Sequence, residues 1–361
     1  VETMSILVVG LLMNLCIARF TKFKYVFLTG HHSLFMACLM SAVLGTAGLS
    51  GMELILVGGF LMGAWSAISP AIGQSYTSKV TDGDEIAIGH FGSLGYYLSA
   101  WVAKYVGKAD DSTEDIEIPE KWGFLRDSTL STALTMIVFY LIAAFAAGSE
   151  FVATLSGDMS PYLYAVMSAM NFAVGVTIVY SGVRMILGDL IPAFQGIATK
   201  IIPNAIPAVD CAVFFTYAPT AVVLGFISSF IGGIIGMLIL GAVGGVLIIP
   251  GLVPHFFCGA TAGIYGNATG GRRGAAVGAF LNGLAITFLP AMALPVLGQL
   301  GFQNTTFGDA DFAVMGLVLG NAYEWVGMAG IYGIVAIAAL VLIIPNFIKT
   351  KGKVINYVEE D

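Results

Sequence analysis

Residues 201–271 contain one formally charged side chain, Asp210. Such a stretch cannot remain in water, and it is one of several. Uninterrupted apolar runs also cover residues 25–44, 54–72, 132–147, 162–180, 221–249, 275–297 and 328–347. Runs of about 18 residues with few charges read as membrane-crossing helices. Closed barrels are the other structure that satisfies every backbone group in lipid, but their strands alternate in polarity over about 10 residues, and these runs do not. Composition agrees: 58% of residues are hydrophobic and 10% charged, where about 25% charged is usual in water. The net charge of −7 excludes a nucleic-acid binder, which needs a basic footprint. A soluble enzyme and a disordered chain are excluded by the apolar content. The expectation is an all-α, polytopic transmembrane helical protein in the lipid bilayer, with interrupted or re-entrant segments and inverted repeats.

Less regular hydrophobic pieces lie at 86–106, 205–217, 254–265 and 313–319, short or broken by Gly, Pro or His. Transporters build sites from such interrupted segments, with half-helix ends facing a cavity. The stretch KADDSTEDIEIPEKWGFLRD is acidic and reads as a solvated loop. The chain then divides into a first membrane half at 1–107, an incomplete repeat carrying Gly-His segments, and an acidic soluble loop at 108–128. A second half at 129–348 holds Asp210 and a Pro-His-Phe-Phe re-entrant segment, and a tail comes last at 349–361. Lysines 349, 351 and 353, with Arg19, Lys22 and Lys24, place the tail in the cytoplasm by the positive-inside rule. The first apolar run, 5–17, is shorter than a span, with no signal-peptide flanks, and is expected to continue a sequence lying upstream. Glycines such as Gly232, Gly233, Gly236, Gly241, Gly244 and Gly245 have the small-residue spacing of close helix packing.

Asp210 is the most specific single-residue signal. A carboxylate in hydrocarbon costs about 2.5–3.5 kcal/mol on the insertion scale, so it faces a cavity or a partner. Ligand contact and the capping of a nearby helix both remain open. His31 and His32 in LTGHHSLF and His90 in AIGHFGSLG share a Gly-His opening at the edge of a hydrophobic segment. Neutral imidazole offers one donor and one acceptor, which suits a hydroxylated ligand. YVFLTGHHSLFMACLMSAVLG is echoed by LVPHFFCGATAGIYGNATGG, a pattern consistent with repeats. Cys16, Cys38, Cys211 and Cys258 have no CxxC spacing and read as small buried hydrophobes. His255 and Cys258 have a spacing open to a metal, but without a second ligand pair no metal site is expected, and no cofactor. Arg272 and Arg273 in a Gly-rich turn read as a phosphate-friendly turn or a basic interfacial loop. Without a nucleophile–base arrangement, no catalytic residue is assigned.

TKFKYVFLTGHHSLFMA, VTDGDEIAIGHF, SGVRMILGDLIPAFQGIATKIIPNAIPAVDCA, YAPTAVVLGF and IIPGLVPHFFCGATAGIYGNATGGRRGA resemble the ascorbate-specific IIC permease components of the bacterial phosphotransferase system. The resemblance runs nearly end to end and keeps the order of segments. It implies a homodimer in the bacterial cell membrane, with a mobile core that carries L-ascorbate by an elevator-like motion. It also implies a phosphorylated IIB partner, charged through IIA, whose cysteine supplies the phosphoryl chemistry. The substrate contacts it implies are His31, His32, Ser33, Leu34, Phe35, His90, Phe91 and Asp210. The family pattern has Gln at the positions of Phe35 and Phe91, each loss removing an amide for a ligand hydroxyl, so a related sugar acid or pentitol is the other substrate expected. On this reading the histidines and Asp210 bind hydroxyls while both phenyl rings pack on the solute. The alternative from the residues alone is an ion- or proton-coupled secondary transporter of a small polar solute, with Asp210 titrating.

Overall fold

The computed structural model describes residues 1–83, 86–116, 128–299 and 307–347. The elements run α1 (Glu2–Phe20), β1 (Tyr25–Phe27), α2 (Gly30–Thr46), α3 (Gly51–Val80), β2 (Ala87–Ile88), α4 (Ser93–Val106), α5 (Ser128–Ala147), α6 (Ser149–Ser156) and α7 (Pro161–Lys200). They continue with β3 (Ile206–Val209), α8 (Cys211–Phe214), α9 (Pro219–Ala242), α10 (Leu252–Gln299), α11 (Ala310–Val326) and α12 (Met328–Ile343). Seven of the described helices are long and apolar enough to cross a membrane: Glu2–Phe20, Gly51–Val80, Thr129–Ala147, Pro161–Val179, Pro219–Ala242, Leu252–Leu297 and Met328–Phe347. The chain is an all-α, polytopic membrane protein with one small sheet. The tail at 349–361 and most of the acidic loop, 117–127, lie outside the described residues.

Two compact units are formed, Val1–Thr113 with Leu190–Asp361, and Glu114–Asp189. In the smaller unit Ala144, Val152 and Ala165 pack together, and Phe145 lies against Tyr162 with ring centroids 4.9 Å apart. The larger unit holds the sheet and the sequence-selected residues.

The first apolar run, 5–17, lies within α1, which has 19 residues with Glu2 and Arg19 inside its two ends. Two expectations are corrected. Residues 25–44 are not one span: the chain is extended through β1, and α2 starts only at Gly30. The echo at 252–271 does not repeat the strand-to-helix approach, since its residues enter α10 directly at Leu252 without a strand. The segments at 254–265 and 275–297 join in α10, whose break falls at Gly270 and Gly271, the latter at φ +59.

β1, β3 and β2 form a parallel sheet in that order, with Phe27 opposite Ala208 and Ile88 opposite Val209. Non-helical backbone at membrane depth persists only where protein buries it or a cavity receives it. Here β1 and β2 are wholly buried. Their outer edges are closed by amide side chains from long helices. Asn14 of α1 donates from Nδ2 to the Tyr25 carbonyl at 3.2 Å and accepts the Phe27 N–H at 3.0 Å. Gln74 of α3 donates to the Ile86 carbonyl at 2.9 Å. Both edges are thereby protected from pairing with another strand.

Around the sheet, small residues let helices touch. Gly95 and Ser99 of α4, and Gly107 just after it, face Asn282, Gly278 and Gly270 of α10, and on α9, Gly225 and Gly232 face Gly263 and Phe280. Gly241 and Gly245 meet only leucines near the end of α9, and Gly244 takes φ +69 where that helix stops. The packing expectation thus holds for one part of the Gly series and not the rest.

Candidate functional site

Successive parallel strands all point the same way, so the segments that leave them emerge at one edge of the sheet. Each strand here runs into a helix, and three junctions meet: Leu28–His32 entering α2, Gly89–Gly92 entering α4, and Asp210 entering α8. Gly89 is tied in by its N–H to the Val209 carbonyl at 2.7 Å. A Cβ at Gly89 would strike the Ala208 carbonyl, so the residue before His90 must be glycine. The N-terminal turns of α2 and α4 both open at this edge; on α4 the N–H groups of Ser93, Leu94 and Gly95 are taken by the His90 carbonyl, Asp311 and the Gly92 carbonyl.

The junctions bring His31, His32, His90 and Asp210 together. His31 and His32 have ring centroids 4.6 Å apart, and His32 and His90 3.8 Å. His31 Nε2 lies 3.5 Å from Asp210 Oδ2, with side-chain exposures of 59% and 29%. Such an open pair contributes about 0–1 kcal/mol and is readily exchanged for a ligand. Asp210 also accepts the Ala212 N–H at 3.2 Å as the N-cap of α8. The capping alternative therefore holds on Oδ1, while Oδ2 faces His31.

His32 and His90 are buried, and backbone donors decide their chemistry. Phe91 N–H points at His32 Nδ1 (3.3 Å) and Gly92 N–H at His90 Nδ1 (3.2 Å), where Tyr96 Oη also lies at 2.8 Å. An Nδ1 that accepts a hydrogen bond leaves a neutral imidazole protonated at Nε2. His32, His90 and Asp309 lie close enough to hold a metal, as do His90, Asp210 and Cys211. Yet in this arrangement each of the two buried rings has its one lone pair engaged, so both are hydrogen-bond donors rather than ligands. The His255–Cys258 pair does not act together: His255 Nδ1 meets Ser229 Oγ at 2.9 Å, and the Cys258 thiol turns to Asp309.

The remaining sequence-selected residues divide by exposure. Phe35 is 49% exposed and Leu34 36%. Ser33 is buried and donates back to the Thr29 carbonyl at 3.2 Å. Phe91 is closed off, stacked on Phe27 at 4.5 Å and edge-on to Phe312 at 5.6 Å. Thr29 Oγ1 at the same edge is buried with no hydrogen-bond partner among the described residues. Arg272 is engaged away from this site: its N–H donates to the Asp111 carbonyl (2.7 Å) and its Nε to the Ser112 carbonyl (3.0 Å), strapping the loop after α4 over the break in α10.

Two acids missed in the sequence complete the arrangement. Asp311, fully buried, accepts from Trp65 Nε1 (3.2 Å), Ser93 Oγ (2.8 Å) and Leu94 N–H (3.0 Å), and its own N–H donates to the Phe91 carbonyl at 2.9 Å. It pins the start of α4, directly after His90, to α3 and α11. Asp309 accepts the Cys258 thiol at 2.9 Å and lies 3.7 Å from His32 Nδ1. The legible signal was GDAD ahead of an apolar helix: two acids two residues apart, bound for the interior.

Long apolar helices surround a sheet edge at which three imidazoles and a carboxylate meet. The model of the family described as PTS system sugar-specific permease component matches residues 1–311, and the chain belongs to that family. It is accordingly a multi-pass protein of the plasma membrane. The chain is 26% identical to the "Ascorbate-specific PTS system EIIC component" of Mycoplasma pneumoniae (strain ATCC 29342 / M129 / Subtype 1), in a match that takes in 88% of this chain and 55% of that protein. The chain therefore spans about half the length of the curated relative it matches.

Proposed function

We propose that the protein translocates L-ascorbate, or a closely related sugar acid or pentitol, for phosphorylation by a IIB partner. The observation that carries this reading is the meeting of His31, His32, His90 and Asp210 where three strands pass into helices, in a chain of the sugar-permease family. The Nε2–H groups of His32 and His90 donate to solute oxygens, and Asp210 Oδ2 accepts a hydroxyl in exchange for its loose contact with His31. Phe35 presents apolar surface to the carbon skeleton, with Leu34 beside it and Ser33 holding the turn. Phe91 lies beneath the site and supports His32. The relative's ascorbate specificity agrees with this solute class. Homodimeric assembly and an elevator-like movement of the sheet and its helices belong to the same proposal.

Radiolabelled L-ascorbate uptake in sealed membrane vesicles, with and without the IIB partner, tests it. Uptake is expected to require IIB and to deliver a phosphorylated product. Asp210→Asn and His90→Ala are each expected to weaken equilibrium binding about tenfold or more, the scale of a lost hydrogen bond to a charged or buried group. Near-normal binding in both variants would remove the site assignment. Accumulation of unmodified ascorbate without IIB, driven by a proton gradient, would mark an ion- or proton-coupled carrier instead.

A further inference from the structure

We infer that Asp309 is a second solute-binding carboxylate, its Oδ2 accepting a hydroxyl beside His32. This rests on the reading of the junctions as a solute site. An aspartate at a helix N-cap ordinarily folds back to accept the N2 or N3 N–H. Asp210 does so on α8; Asp309, at the N-cap of α11, makes no such bond. Its carboxylate turns to the site instead, where the Cys258 thiol anchors Oδ1 at 2.9 Å.

The second oxygen has no donor among the described residues. His32 Nδ1 stands 3.7 Å from Oδ2, beyond hydrogen-bond reach, and it is already accepting the Phe91 N–H, so it has no proton to give. A carboxylate oxygen away from bulk water without a donor is costly. The side chain keeps 18% exposure, enough for a hydroxyl to arrive. Asp311, two residues on, is the contrast: it receives three donors and is closed to solvent. One acid of the pair builds the wall and the other looks into the site. With Asp210 and Asp309 both as acceptors near the imidazoles, the solute selected is rich in hydroxyl donors.

Two measurements on the purified full chain in detergent test this. In the first, binding of L-ascorbate and of xylitol is compared calorimetrically for wild type and Asp309→Asn; a loss of about 10- to 100-fold is expected for whichever solute wild type binds. In the second, melting without solute is compared for Asp309→Asn and Asp311→Asn. Groups kept for binding contribute little to stability, so Asp309→Asn should melt within about 2 °C of wild type or above it, and Asp311→Asn clearly below. Unchanged binding in Asp309→Asn overturns the inference, as does melting lowered to the level of Asp311→Asn. Binding of neither solute by wild type would remove the proposed substrate, and the Asp309 assignment would then stand or fall on the melting comparison.

Discussion

Asp311→Ala is expected to destabilise the larger unit by an amount the structure sets. The substitution removes the acceptor of three donors, Trp65 Nε1–H, Ser93 Oγ–H and Leu94 N–H. The serine hydroxyl can rotate to another acceptor, whereas the indole and the backbone amide are fixed by their helices. Two buried donors left unpaired cost about 1–3 kcal/mol each, so about 2–6 kcal/mol in all. Removing a buried charge offsets part of that, although a carboxylate receiving three donors is already well solvated by the protein. At roughly 2 °C per kcal/mol, the value for larger chains, melting should fall by about 4–12 °C. Tryptophan-fluorescence melting in detergent measures it, with Asp311→Asn in between because its amide keeps one acceptor oxygen. An Asp311→Ala protein melting within about 1 °C of wild type would refute the reasoning, since the three donors would then have other partners.

Packing and edge closure set two further outcomes. A Cβ at Gly73, where α3 leaves helical geometry, would enter the Tyr97 ring; Gly73→Ala should cost about 1–3 kcal/mol through overpacking, read as lowered melting and partly restored by Tyr97→Leu. Asn14→Leu keeps the volume but strips both bonds from the outer edge of β1, at about 1–3 kcal/mol for each group left unpaired; amide exchange at Phe27 should accelerate, and unchanged exchange would show the edge to be satisfied otherwise.

What was legible in the sequence was everything that depends on residues near one another in the chain. Long uncharged runs fix helices, because lipid forces backbone groups to pair locally, and α3, α5, α7, α9 and α12 lie where the runs predict them. The isolated charge of Asp210 and the repeated Gly-His openings named one end of each junction for the same reason: their cost in an apolar setting is visible without knowing the neighbours. The strands were not legible. β1 is 3 residues long and finds its partner at Ile206–Val209, so its hydrogen bonds depend on chain about 180 positions away. Local pattern therefore read Tyr25 onward as helix. Asp309 and Asp311 escaped for a related reason. An acid at the start of a helix looks like an ordinary cap, and only the packing of α11 against Phe91 and Cys258 gives these two opposite tasks. The histidine tautomers were decided at the same level, by two backbone amides of the turn into α4. Sequence determined that this chain lives in lipid and which polar groups it must shelter there. Tertiary structure decided which of them face one another, because pairing between distant segments is set by the meeting of helices and strands and leaves no local periodicity to read.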